Sequence, residues 1–193
     1  MIVFLRHGET ERNRAGRLQG RSDAPLTERG RAQIAGVAAV LAREQPARIV
    51  ASPLPRTLET AAIVSDACGN LPIERHDDLI ELDYGDWEGR RLDDVPAGDW
   101  QRWRAEPAFA PPGGESLVAV RERIARFCAQ FSAADGLTVA VSHVSPIKAA
   151  VAWVLDAPHG VEWRTRLSVA SLTRIECAPA PVLVSFNEKV GPA

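Results

Sequence analysis

The sequence predicts a three-layer α/β/α sandwich around a mostly parallel sheet. Short, almost purely apolar runs recur along the chain, as strands buried on both faces require. Stretches with apolar residues at helical spacing lie between them, and that alternation puts helices on both faces of a parallel sheet. The chain has 193 residues, 46% hydrophobic and 25% charged, which suits one globular domain, 1–193, with a core of its own. The same balance excludes a disordered, collagenous or coiled-coil chain.

Residues 2–5 form the first strand, and a polar loop follows to about Pro25. Thr27 is placed to N-cap a helix over 28–44, where Ile34, Val37, Ala38 and Leu41 fall on one face. Residues 48–51 are a second strand. Ser52-Pro53 then caps a helix with proline at its first position, running to about Ala67. Leu58, Ala61, Ala62 and Val64 supply its buried side. A strand near 72–75 precedes a long irregular region, 76–114; that length marks a functional loop or hidden short helices. Gly114-Glu115-Ser116 opens a helix with Leu117, Val120, Ile124, Phe127 and Phe131 on one face. Residues 137–142 are a strand with His143 at its end. Ser145-Pro146 starts a helix to about Leu155. Two β-rich runs, 167–176 and 182–186, are joined as a hairpin by Ala178-Pro179-Ala180-Pro181.

Charge is nearly balanced, 23 Lys plus Arg against 25 Asp plus Glu. That leaves no basic excess for nucleic acid or anionic lipid. Lys148 and Lys189 are the lysines; the other basic residues are arginines spread along the chain. Cys68, Cys128 and Cys177 are isolated and lack CxxC spacing, which argues against a disulfide framework and a thiolate zinc site. Cys128 falls on an apolar helix stripe and reads as a small buried hydrophobe. The N-terminus lacks a basic region and a long apolar run, and no window is long enough to span a membrane. The expected location is cytoplasmic.

Ligands of open parallel sheets bind beyond the C-terminal strand ends. His7, Ser52-Pro53-Leu54-Pro55-Arg56 and His143 each follow a different strand, so all should converge on one crevice. Arg6-His7-Gly8-Glu9-Thr10 offers a histidine beside an arginine, either a phosphate-binding pair or a nucleophile with its clamp. A structural Arg–His pair is the competing reading. Arg56, in the first turn of its helix, can reach the crevice as a second forked donor, though a surface arginine is the plainer alternative. His143 and the amides of the following helix suit an anion, against a core histidine bonded to a backbone carbonyl. In the acidic stretch 77–88, Glu81 is bracketed by Ile80 and Leu82. Apolar neighbours suit a general acid. Asp77, Asp78, Asp83, Asp86 and Glu88 compete with it.

Taken together, these motifs resemble the histidine phosphatase superfamily, which includes cofactor-dependent phosphoglycerate mutase. The Leu-Arg-His-Gly-Glu-Thr signature, Ser-Pro-Leu-x-Arg-Thr, Glu-Leu-Asp-Tyr-Gly-x-Trp-Glu-Gly, Gly-Gly-Glu-Ser and Val-Ser-His occur in the family's order from Leu5 to about Glu176. The resemblance implies six strands, one antiparallel, with the C-terminal hairpin at an edge. It implies phosphorylation of His7, a phosphate pocket of Arg6, Arg56 and His143, and proton donation by Glu81. Asn13, Gln19 and Gly20 match residues that line the pocket in relatives, and Val144 follows the second histidine there.

Two departures point to a phosphatase: Val144-Ser145-Pro146 after His143, resembling the alpha-ribazole phosphatase and acid phosphatase branches, and Trp87-Glu88-Gly89 in the glutamate loop. The chain is also short for a mutase. The expected substrate is a small phosphorylated metabolite, handled without metal or cofactor by a monomer or homodimer. Its leaving group should be read by 87–112, with Arg17, Arg90 and Arg91. Trp100, Trp103 and nearby prolines there suit a bulky, partly apolar group. A mutase and a non-catalytic phosphate-binding module are the alternatives.

Overall fold

The computed structural model describes residues 1–131 and 136–190. Its strands are β1 (Ile2–Arg6), β2 (Arg48–Ala51), β3 (Ile73–Arg75), β4 (Thr138–Ser142), β5 (Ser171–Glu176) and β6 (Val182–Lys189). Its helices are α1 (Glu11–Arg14), α2 (Glu28–Glu44), α3 (Pro55–Ala67), α4 (Ala97–Ala105), α5 (Leu117–Cys128), α6 (Val144–Val154) and α7 (Val161–Arg164). The strands form one sheet in the order β3-β2-β4-β1-β5-β6. β1 to β4 run parallel. β5 runs antiparallel between β1 and β6, which places the C-terminal hairpin at the edge.

Side chains alternate across the strands and split the core in two. Ile2, Phe4, Val50, Ala140 and Ile175 pack with Val120, Ile124, Phe127 and Ile147 of α5 and α6. Val3, Leu5, Ile49, Ala51, Val139, Val141 and Leu172 pack with Ile34, Val37, Leu41, Ala61 and Val64 of α2 and α3. The sandwich therefore has the expected three layers.

Several boundaries differ from the expectation. The proline at the first position of α3 is Pro55, and Leu54 is its N-cap without a side-chain bond. The Ser52 hydroxyl is engaged elsewhere. The loop before Pro25 contains α1, closed by a Thr10–Asn13 capping box. Region 76–114 contains three 3-10 turns and α4. α6 starts at Val144, with His143 itself as N-cap. β5 starts only at Ser171, because Ala170 turns the backbone with a φ of 52°. Cys128 is fully buried as expected, yet it is not isolated in space: its thiol meets that of Cys177. No helix among the described residues is long and apolar enough to cross a membrane.

Candidate active site

The C-terminal ends of β1, β4 and β2 lie level. Arg6 pairs in register with Ser142. The next residues, His7 and His143, therefore stand beside each other, with ring centroids 5.1 Å apart and edge to face. The His7 amide extends the ladder to the Ser142 carbonyl at 3.1 Å, and the Ser52 amide does the same to Val141 at 3.0 Å. The three strand ends converge as the sequence predicts.

His7 is 3% exposed. Its Nδ1 lies 2.8 Å from the Gly8 carbonyl oxygen. A carbonyl only accepts, so Nδ1 carries the proton and Nε2 keeps its lone pair. Burial, then Arg6 and Arg56, hold the pKa well below the ordinary histidine value, so the ring is neutral. Gly8 is needed behind it. A Cβ there would lie 2.6 Å from the Gly30 oxygen, and one on Gly30 would lie 2.3 Å from the Glu9 oxygen. Two glycines let the loop rest on the first turn of α2.

His143 is fully buried, with Nε2 2.8 Å from Ser52 Oγ. That hydroxyl also accepts from the Leu54 amide at 3.5 Å, and when it gives its own proton to Nε2 the ring proton sits on Nδ1. Nδ1 is a buried atom with no partner among the described residues. Burial, then Arg56, His7 and Arg6, push its pKa well down as well.

Arg6 donates from Nη1 to the Leu167 oxygen at 2.7 Å. Fully buried Arg56 donates to the oxygens of Gly20 at 2.6 Å and Ser22 at 3.1 Å. Backbone carbonyls thus hold both guanidinium groups, and the Nε of each is buried without a partner among the described residues. Burial lowers the Arg6 pKa to about 10, which still leaves a cation at neutral pH. Burial also lowers that of Arg56.

Glu81 is 4% exposed, but apolar contacts do not define its surroundings. Oε1 accepts from the amides of Leu82 at 2.9 Å and Ser145 at 3.1 Å, and Oε2 from that of Val144 at 3.1 Å. The helix amides expected to meet a bound anion, Val144 included, therefore hold this carboxyl group.

The bonds of Asn13, Gln19 and Gly20 are made to their own loops and to Glu88. Asn13 Oδ1 accepts from the Thr10 amide at 3.2 Å, and Gln19 Oε1 from the Thr10 hydroxyl at 2.7 Å. The Gly20 amide donates to both oxygens of Glu88, at 3.0 and 3.1 Å. Glu88 also receives Ser22 Oγ and Arg12, and so latches the loop that holds Arg56. The sequence reading gave Glu88, Ser52 and Tyr84 no such part. Ser52 occupied the same strand-end position as the two histidines, which was a usable signal. Tyr84 is buried beside Glu81 and bonds Ser145, and burial pushes its phenol upward.

The tryptophans correct an expectation. Trp87 and Trp103 are 2% and 3% exposed and pack edge to face at 5.4 Å. Trp103 meets Trp163 at 4.7 Å and Tyr84 at 5.8 Å. Trp103 is core, not a wall for an apolar leaving group, whereas Trp100 is half-buried and packs edge to face on Trp103 at 5.4 Å. Arg17 is exposed and donates to the Gly89 oxygen at 2.8 Å; Arg90 and Arg91 are exposed nearby. Among the described residues, no three His, Cys, Asp or Glu side chains gather as a metal ligand set.

The model of the histidine phosphatase superfamily (branch 1) matches residues 2–189. The chain belongs to that superfamily. It is 38% identical over 181 residues to a bifunctional protein of Mycobacterium tuberculosis, covering 91% of this chain and 50% of that one. The chain thus spans about half the length of that relative. It is 35% identical to a probable phosphoglycerate mutase of Photorhabdus laumondii, covering 95% and 88% of the two chains. A mycobacterial glucosyl-3-phosphoglycerate phosphatase solved with VO3 superposes with a TM-score of 0.85 at 31% identity, covering 96% and 98%.

Proposed function

We propose that residues 1–193 form one histidine phosphatase domain that hydrolyses phosphomonoesters of small metabolites through a phosphohistidine on His7. One observation carries the reading. The Nδ1 proton of His7 is committed to the Gly8 carbonyl, so a neutral ring offers its Nε2 lone pair beside buried, unpartnered donors of Arg6, Arg56 and His143. Those donors suit a phosphoryl group whose charge spreads over its oxygens in the transition state. His7 attacks phosphorus as Glu81 gives its proton to the leaving oxygen. Glu81 then takes a proton from water, which attacks phosphorus and releases phosphate from the histidine.

Rapid acid or base quenching with labelled substrate tests this. Acid-labile, base-stable label should appear on the wild type and be missing from a folded His7→Ala protein. Label retained in that variant removes the assignment.

The named relatives include a phosphatase and a probable mutase. Length does not separate them, since this chain covers 88% of the probable mutase. The preference for hydrolysis rests on Trp87-Glu88-Gly89 and on Val144-Ser145-Pro146. Incubation with 3-phosphoglycerate and a trace of 2,3-bisphosphoglycerate decides it. Free phosphate supports the phosphatase; efficient formation of 2-phosphoglycerate with little phosphate rejects it.

A further inference from the structure

A cavity of about 580 Å³ lies on the α2 side of the sheet, between α2 and the backbone that leads into β5. None of Arg6, His7, Arg56, Glu81 and His143 lines it. Arg29, Gln33, Gly36 and Val37 share one face of α2, at i, i+4, i+7 and i+8. Residues 168–170 form the facing wall, joined by Lys189 of β6. Both walls are pinned by hydrogen bonds. Gln33 Oε1 accepts from the Glu9 amide at 3.2 Å. The Ala170 amide donates to the His7 oxygen at 3.1 Å, and the Ser168 amide to Asn187 Oδ1 at 2.8 Å. The cavity is therefore preformed, and its volume falls in the usual range of ligand sites, about 300–1,000 Å³.

Gly36 shows that the space is kept open. It stands inside α2, where a glycine weakens a helix relative to alanine. Packing gives no reason for it, since a Cβ at 36 would meet no atom within 4 Å. Gly30 of the same helix is the opposite case, pressed against the Glu9 oxygen. The floor beside Gly36 is apolar: Val37 and Ala170 are 1% and 7% exposed. Arg29 and Lys189 are exposed and make no ion pair among the described residues. No Asp or Glu lines the cavity. Two unspent cations beside an apolar floor select an anion that also carries apolar surface. We propose that this cavity is a second binding site, taking a small organic anion whose apolar body lies beside Gly36 and whose charged end meets Arg29 and Lys189.

A fluorescence titration of the full chain with 8-anilinonaphthalene-1-sulfonate, an anion with an aromatic body, tests this. One molecule per chain should bind saturably. Gly36→Met puts a side chain into the cavity and should weaken binding at least about 10-fold without lowering the melting temperature. Reversing both charges, Arg29→Glu with Lys189→Glu, should weaken it by about 10–100-fold, the range of a charge-assisted hydrogen bond. Both residues are exposed, so this second variant keeps the test open if Gly36→Met does not fold. The absence of saturable binding to the wild type overturns the proposal. So does displacement of the probe by vanadate, which would put it in the catalytic crevice, or binding that survives the filled cavity or the reversed charges.

Discussion

Removing one hydroxyl, in Ser52→Ala, tests how the second histidine is set. The Ser52 Oγ lies 2.8 Å from Nε2 of His143, a ring with 0% exposure. Without it, a buried ring nitrogen has no partner, which costs about 1–3 kcal/mol. In a domain of this size each kcal/mol lowers the melting temperature by about 2–4 °C, so the variant should melt about 2–12 °C lower. The catalytic effect is separate. The hydroxyl proton fixes Nε2 as an acceptor and so keeps the proton on Nδ1. Loss of that bias weakens one donor to the phosphoryl group. Loss of a whole oxyanion donor costs about 10²–10³ in kcat. A donor that is only misoriented should cost less, about 10–100-fold. Thermal melts and p-nitrophenyl phosphate kinetics on the same preparation read both. If the melting point falls while kcat stays within about 3-fold, the hydroxyl supports packing and does not set the tautomer.

Acid should weaken the fold through the two site histidines. Both have pKa values pushed well below the ordinary 6.5, so below that pH the unfolded chain binds protons that the folded chain refuses. Stability then rises with pH, by about 1 kcal/mol for each histidine between pH 5.5 and 6.5. Urea midpoints at pH 6.5 and 5.5 should show that His7→Gln removes one such share; an unchanged slope contradicts the neutral buried state. Glu81→Gln should cut turnover about 10²–10⁴-fold on an alkyl phosphate and much less on p-nitrophenyl phosphate, whose leaving group scarcely needs a proton. A larger loss in Asp83→Asn or Asp86→Asn would move the role there. Activity should survive exhaustive EDTA treatment, and vanadate should inhibit as an imitation of the transition state. Loss to EDTA with recovery on Mg²⁺ would show that arginine and histidine donors do not suffice.

The sheet and its helices were legible because their signals are local. Apolar runs gave β1, β2 and β4 directly, and the i, i+3, i+4 pattern gave α2 and α5. The convergence of His7, Ser52 and His143 followed from a rule about strand ends. What stayed hidden depends on contacts distant in sequence. Nothing near Glu81 tells that its carboxyl will rest on amides 63 and 64 residues away. Nothing near Glu88 says that it will clasp Gly20, 68 residues away. Trp103 misled because a large aromatic in a segment read as irregular looks the same whether it lines a crevice or packs inward. Pro53 and Pro55 both allowed a helix start, and only packing chose between them.

The pairing of Arg6 with Ser142 has a consequence for how such a protein can change over generations. His7 and His143 leave adjacent parallel strands at the same level, and their ring spacing of 5.1 Å is close to the usual gap between neighbouring strands, about 4.8 Å. The hydrogen-bond ladder of the sheet acts as the ruler for the reacting groups. Two segments, 90–112 and 157–166, lie outside that ruler. They are free to lengthen, shorten or change charge while the two histidines keep their separation. A chain built this way can exchange one phosphate ester for another without first losing the ability to break the bond.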